Sequence, residues 1–439
     1  MTERPSIEAW SAELAKPTEG FYAAFADRVR EPDGPRDATR EALKTLIPAV
    51  DWAGYLPHLP TGLMGTWGVW RLRPLLEDTS FLRLLAIQLH AFAHEVRKTR
   101  GLASIPGGSG NWANIEAAIA TRRPSLAYGE ALAIGEPSDE DFRRLLAHGA
   151  ADMACMGQKG SAPWFLGDLW ERLGHPKATA RRLLALSAWL VAAEPADLFW
   201  NQRAGARITQ DPPAIAMGGA KFPEAHAQAA REICDLGLVA LLDAFCGRMR
   251  TGATTGDLLS SLVLAASEKL LDARRDLEGK TSGTLMYLAA LARGLAPMGR
   301  PEPYAQAAAL VNLFPTDEPD GRVRPKPPSS PAMDAAAGML DAILDAEPPE
   351  AMHEAMRLLG GRDAQAVLRV LAEAASQNDP AYNHSGQVLA VAGAAELLPL
   401  ISEDAQAALL TALAKSLANS QGSGDLGRRA DRALAATTR

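Results

Sequence analysis

Residues His58–Lys98, HLPTGLMGTWGVWRLRPLLEDTSFLRLLAIQLHAFAHEVRK, decide the fold class. Apolar residues recur at helical spacing on both sides of an acidic break at Glu77–Asp78, so the stretch reads as two apolar helices joined by a short turn. In the second helix His90 and His94 are four apart and emerge from one face, with Glu95 one step round. His58, ahead of the first helix, is placed to fold back toward them. Trp67 and Trp70 are three apart on that first helix and predict an aromatic cavity near the histidines.

Outward from this stretch, helical periodicity continues almost everywhere and strand alternation almost nowhere. Helices are predicted over Phe21–Arg30, Asp37–Ile47, Trp112–Arg122, Trp164–Leu173, Lys177–Ala193 and Pro223–Arg248. Ser138 with Asp141 three residues on predicts a capping box for the run through Met156. The expected fold is all-α, built of stacked antiparallel helical pairs in a solenoid-like array with no substantial sheet.

The segment Pro315–Pro331, PTDEPDGRVRPKPPSSP, holds too many prolines for helix or central strand and reads as a linker or strap. It divides the chain into a Trp-rich helical domain at 1–314 and an Ala/Leu-rich helical segment at 332–439. All nine tryptophans fall within the first 200 residues, which places the expected aromatic pocket there.

Two alignments suggest internal repetition. Setting Gly393 on Gly68, an offset of 325, aligns His384-SGQVLAVAGAAELLPLI with Thr61-GLMGTWGVWRLRPLL and puts Leu397 on Leu72 and Pro399 on Pro74. The same C-terminal segment aligns with Thr281-SGTLMYLAALARGLAPM at an offset of 103, which puts Ser385 on Ser282.

Net charge of −7 and the absence of any basic cluster argue against a nucleic-acid or anionic-membrane partner. The longest strongly apolar run, Leu183–Ala193, is too short to span a bilayer, and the start MTERPSIEAW lacks an apolar signal core, so a cytoplasmic protein is expected. Cys155, Cys234 and Cys246 form no CxxC pair and suit a reducing compartment.

The histidines carry the sharper expectation: His58, His90, His94 and His384 as metal ligands, since imidazole is the commonest protein ligand for such ions. The HxxxH spacing lacks the glutamate of HExxH, and only Glu350–His353 has the ExxH spacing of di-iron bundles, so zincin and ferritin-like sites are excluded. Arg203 and Arg207, in the Gly/Pro-rich loop between Trp200 and Phe222, are expected to bind an acidic group of a substrate, with Trp67 and Trp70 holding its ring. Gly108-Ser-Gly110-Asn-Trp-Ala113 has the GxGxxA shape but no preceding strand, so no nucleotide cofactor is expected and helix capping explains it better. No GxSxG, P-loop or kinase signature is present.

Gly62-Leu-Met-Gly-Thr66-Trp-Gly-Val-Trp-Arg71-Leu72 and His384-SGQVLAVAGAAELLPLI resemble motifs of the bacterial questin oxidase-like family. The resemblance implies an all-helical oxidoreductase of oxygenase type that acts on aromatic polyketides such as anthraquinones. It also implies a mononuclear non-haem iron held by histidines and a modified lysine, with His384 as a ligand. Here Thr61 stands where the family has a histidine, Gly68 replaces a second, and only Lys177 and Lys280 offer themselves for the lysine. The contrasting expectation is a helical-repeat scaffold that binds a protein partner without catalysis.

Overall fold

The computed structural model describes residues 4–49, 59–97, 105–150, 158–193, 213–273, 285, 288–295, 299–313, 335–361, 363–377, 385–422 and 425–436. The fold is all-α. Of β-type pairings with both partners among the described residues there is one, an isolated parallel bridge between Ala216 and Thr254.

The first ten helices are α1 (Arg4–Ala15), α2 (Phe21–Arg28), α3 (Gly34–Leu46), α4 (Thr61–Leu72), α5 (Asp78–Arg97), α6 (Trp112–Ala120), α7 (Pro124–Leu132), α8 (Asp139–Gly149), α9 (Gln158–Arg172) and α10 (Lys177–Ala192). Then come α11 (Pro223–Asp235), α12 (Leu238–Arg250), α13 (Thr255–Asp272) and α14 (Glu302–Asn312), with a π-turn at Leu291–Leu295 ahead of the last. The remainder are α15 (Ala335–Leu344), α16 (Pro348–Gly360), α17 (Ala364–Ser376), α18 (Gly386–Leu397), α19 (Glu403–Asn419) and α20 (Asp425–Ala436).

Local chemistry sets the boundaries. The predicted box forms at α8, where the Asp141 carboxylate accepts from the Ser138 amide at 2.7 Å. The single helix expected over Pro223–Arg248 is instead two, broken at Leu236–Gly237. Asn312 stabilises the break by donating to the free carbonyls of Ile233 and Leu236 at 2.7 and 3.0 Å.

The α4 helix is buried from Gly62 to Trp70 because three neighbours surround it. Gly62, Gly65 and Gly68 recur every third residue and make room for them. A Cβ at Gly62 would lie 2.3 Å from the Phe92 amide nitrogen, and one at Gly68 would lie 2.9 Å from Val388 Cγ1. Glu95 caps the start of α4, accepting from the Gly62 amide at 2.9 Å and from the Thr61 amide and hydroxyl. Thus Glu95, beside His94 in sequence, is committed to a helix cap.

The repeat read from sequence has a structural counterpart. At the same offset of 325, α4 maps onto α18, the 3₁₀ turn Arg73–Leu75 onto Leu398–Leu400, and the start of α5 at Asp78 onto that of α19 at Glu403. Contacts of Gly65 with Ser385, Gly68 with Val388 and Arg71 with Glu396 follow one another in the same direction, so α4 and α18 run parallel. Helices on both sides of the Pro-rich segment share one apolar core, and α20 packs against α2 and α5. In an open solenoid each unit touches only its neighbours, whereas here the last helix returns to the second. The segment 315–331 itself lies outside the described residues.

The GSG loop is occupied by the chain's own acid. Glu130, 6% exposed, accepts from the Ser109 amide and hydroxyl, both at 2.9 Å, and from the Gly110 amide at 3.2 Å. Gly110 meets this geometry at φ +74°, a backbone angle that favours glycine. Asn111 then caps α6 by accepting from the Ala113 amide. Burial raises the Glu130 pKa, but these donors pull it below the usual range. Glu130→Gln is therefore expected to cost about 2–3 kcal/mol in chemical denaturation, because an amide NH₂ would face donors. Lys415, 1% exposed within apolar α19, is satisfied in a comparable way: its ammonium caps the end of α13 by donating to Leu271 and Ala273 carbonyls.

Candidate substrate cleft

The two tryptophans expected to share a cavity point to different places. Trp67 is fully buried, donates from Nε1 to Asp168 at 2.8 Å, and meets Trp164 edge-on with ring centres 5.4 Å apart. Trp70 turns toward α3 and α5, donates to Thr39 Oγ1 at 3.2 Å and packs on Phe81 at 5.3 Å. It borders a separate cleft of about 360 Å³ that also holds Arg36 and Arg73.

Trp164 and Asp168 lead to the larger site. A half-open cleft of about 510 Å³ lies between α8, α9 and the π-turn, walled by Phe142, Leu146 and Trp164 with Asp168, Arg143 and Arg293 as polar groups. Close packing shapes it: a Cβ at Gly294 would lie 2.4 Å from Leu146 Cδ2. π-Turns are often found at functional sites.

Behind the aromatic wall lies a charge network. Asp168 accepts from Trp67 and from Arg172 Nε at 2.7 Å. Glu396, from α18, accepts from Arg293 Nε at 2.9 Å with one oxygen and pairs with Arg71 through the other. Burial lowers the Arg71 pKa; Glu396 opposes this, and the neighbouring charge of Arg172 adds to the lowering. Arg71, Arg143, Arg172 and Arg293 are balanced by Asp139, Asp168, Glu171 and Glu396 in and behind the cleft. A neutral ligand with hydroxyl or carbonyl groups suits this balance better than a strong anion.

His90 and His94 lie on the other side of α5, toward α2. The His90 ring stacks on Tyr22 at 5.2 Å, meets Phe21 edge-on at 5.1 Å, and lies nearly parallel to His94 with centres 6.1 Å apart. Among the described residues no group of three or more His, Cys, Asp or Glu is close enough to hold a metal. His58 and His384, like Arg203 and Arg207, lie outside the described residues.

His226 gives no motif-level signal in the sequence, yet it is 2% exposed and joined to two distant residues. Its Nε2 lies 2.9 Å from Asp257 Oδ1 and its Nδ1 lies 3.3 Å from Ser402 Oγ. The ring borders a third cleft, of about 210 Å³.

No protein-family model, curated protein or solved structure matches the chain.

Proposed function

We propose that the chain is an oxidoreductase of oxygenase type acting on a hydrophobic, hydroxylated aromatic small molecule that binds between α8, α9 and the π-turn. The binding half rests on one observation. A cleft of about 510 Å³ presents Trp164, backed edge-on by buried Trp67, together with Phe142, the Asp168 carboxylate and the Arg293 guanidinium. That volume lies in the range of small-molecule sites, which are largely apolar with a few fixed polar groups. Trp164 and Phe142 would hold a flat ring, Asp168 would accept from a phenolic hydroxyl, and Arg293 would donate to a carbonyl.

The redox half rests on the resemblance of residues 62–72 and 384–401 to the questin oxidase-like motifs. The described members of the expected ligand set, His90 and His94, do not by themselves fit an iron. Imidazole lone pairs lie in the ring plane and must converge on one ion, whereas these rings are near parallel and His90 is clamped by Tyr22 and Phe21.

Quenching of tryptophan emission by a hydroxyanthraquinone probe tests the binding half. Trp164→Ala is expected to weaken binding by about tenfold to a hundredfold, the worth of a lost aromatic wall. Failure of the probe to bind overturns this half and favours the helical scaffold. Metal analysis tests the other half: iron in the purified protein, lost in His384→Ala, is expected. A protein that binds the probe but carries no iron and consumes no oxygen with it would be a binding protein.

A further inference from the structure

Three segments far apart in the chain converge on His226. The imidazole comes from the first turns of α11, Asp257 from the first turn of α13, and Ser402 is the residue that caps α19. Asp257 is 4% exposed and accepts from the amides of Lys221, Phe222 and Thr254 and the Thr254 hydroxyl, so it stands as a carboxylate. An acceptor at 2.9 Å requires the proton of neutral His226 to sit on Nε2, which leaves Nδ1 with a lone pair. Ser402 Oγ already accepts from the Ala405 amide at 3.4 Å, so its own proton is directed at that lone pair, 3.3 Å away. Hydroxyl, imidazole and carboxylate are thus connected in the proton order of a nucleophilic triad, with the ring turned over so that Nδ1 rather than Nε2 meets the serine.

We propose that Ser402, His226 and Asp257 form a second, hydrolytic centre for small esters with an apolar acyl group. The cleft beside His226 is lined by Phe222, Ala225, Leu258, Ser261 and Arg248. Ser402 is half-buried, and its amide donates at 2.9 Å to Ser260 Oγ, next in sequence to the lining Ser261. In the reaction Ser402 Oγ bonds to the ester carbonyl carbon and its proton passes to His226 Nδ1. Asp257 holds the ring and balances the imidazolium. The first-turn amides of Glu403 and Asp404, which follow Ser402 directly in α19 and have no intrahelical acceptor, would be the donors for the developing oxyanion. Collapse breaks the ester C–O bond, and the leaving alkoxide takes the proton from Nδ1. Water then gives a proton to Nδ1 and adds to the acyl-Ser402 carbonyl. Oγ departs with that proton, so ester and water become acid and alcohol with no co-reactant.

The full chain is to be tested with a fluorophosphonate probe, read by mass mapping, and with p-nitrophenyl butyrate. Ser402→Asn keeps a good helix cap but removes the nucleophile. It is expected to leave the melting temperature unchanged, abolish labelling and lower hydrolysis about a hundredfold or more. Asp257→Glu, which keeps the charge, is expected to restore part of the labelling rate that Asp257→Asn loses. No label on Ser402 in the native protein, or undiminished hydrolysis by Ser402→Asn, overturns the proposal. Neither result bears on aromatic binding in the Trp164 cleft.

Discussion

Gly62→Val is expected to destabilise the protein by about 4–5 kcal/mol, the size reserved for steric and core defects. The new Cβ would fall 2.3 Å from the Phe92 amide nitrogen and 2.6 Å from its Cα. Backbone of a helix buried on its far side cannot step aside as a flexible side chain would. The α4–α5 contact would have to open, and with it the cap from Glu95 to the Gly62 amide. Chemical denaturation checks this against Gly247→Ala, where a Cβ meets nothing within 4 Å and the helical position should gain about 0.5–1 kcal/mol. A loss at Gly62 no larger than that of an ordinary surface change would refute the close approach.

Asp257→Asn is expected to cost about 2–3 kcal/mol near neutral pH, because charge-assisted hydrogen bonds are lost and the new amide NH₂ would face donors. Burial pushes this carboxyl upward, but the amides of Phe222 and Thr254 and the His226 ring hold it well below the usual carboxylate range. A depressed folded pKa gives stability that is complete above the unfolded value, about 3.9, and is lost as pH falls through the folded value. The gap between wild type and Asp257→Asn should therefore be full above about pH 5 and shrink as the pH drops below about 4. Denaturant titrations over an acid series read it directly. A gap that stays constant in acid would show that the carboxylate charge is not what the amides hold.

Much of the fold was legible because helices announce themselves locally. The apolar period of residues 58–98, the Ser138–Asp141 box and the 325-residue offset all depend on near neighbours or on self-similarity. The break at Gly237 was not legible: apolar period runs through it, and the Asn312 amide that stabilises it lies more than seventy residues away. The same distinction applies to the sites. Trp67 could be singled out as a bulky apolar side chain, but its partners Asp168 and Trp164 come from α9, and Arg293 reaches the cleft from the π-turn. His226 sits in a helix with no neighbouring motif, and only folding brings Asp257 and Ser402 to it. The GxGxxA shape shows the converse, a strong local pattern whose amides are taken by Glu130.

Parallel packing of α4 on α18 carries an electrostatic consequence. Side-by-side helices that point the same way add their macrodipoles, so two partly negative carboxyl ends meet where Arg71 and Glu396 stand. An acid in the last turn of α18 deepens that negative potential, and Arg71 and Arg293 converge on it. The guanidiniums of Arg71 and Arg293 are therefore favoured by the parallel direction of the packing. The charge behind the cleft thus has an architectural origin, and Glu396 fixes the orientation of the Arg293 guanidinium.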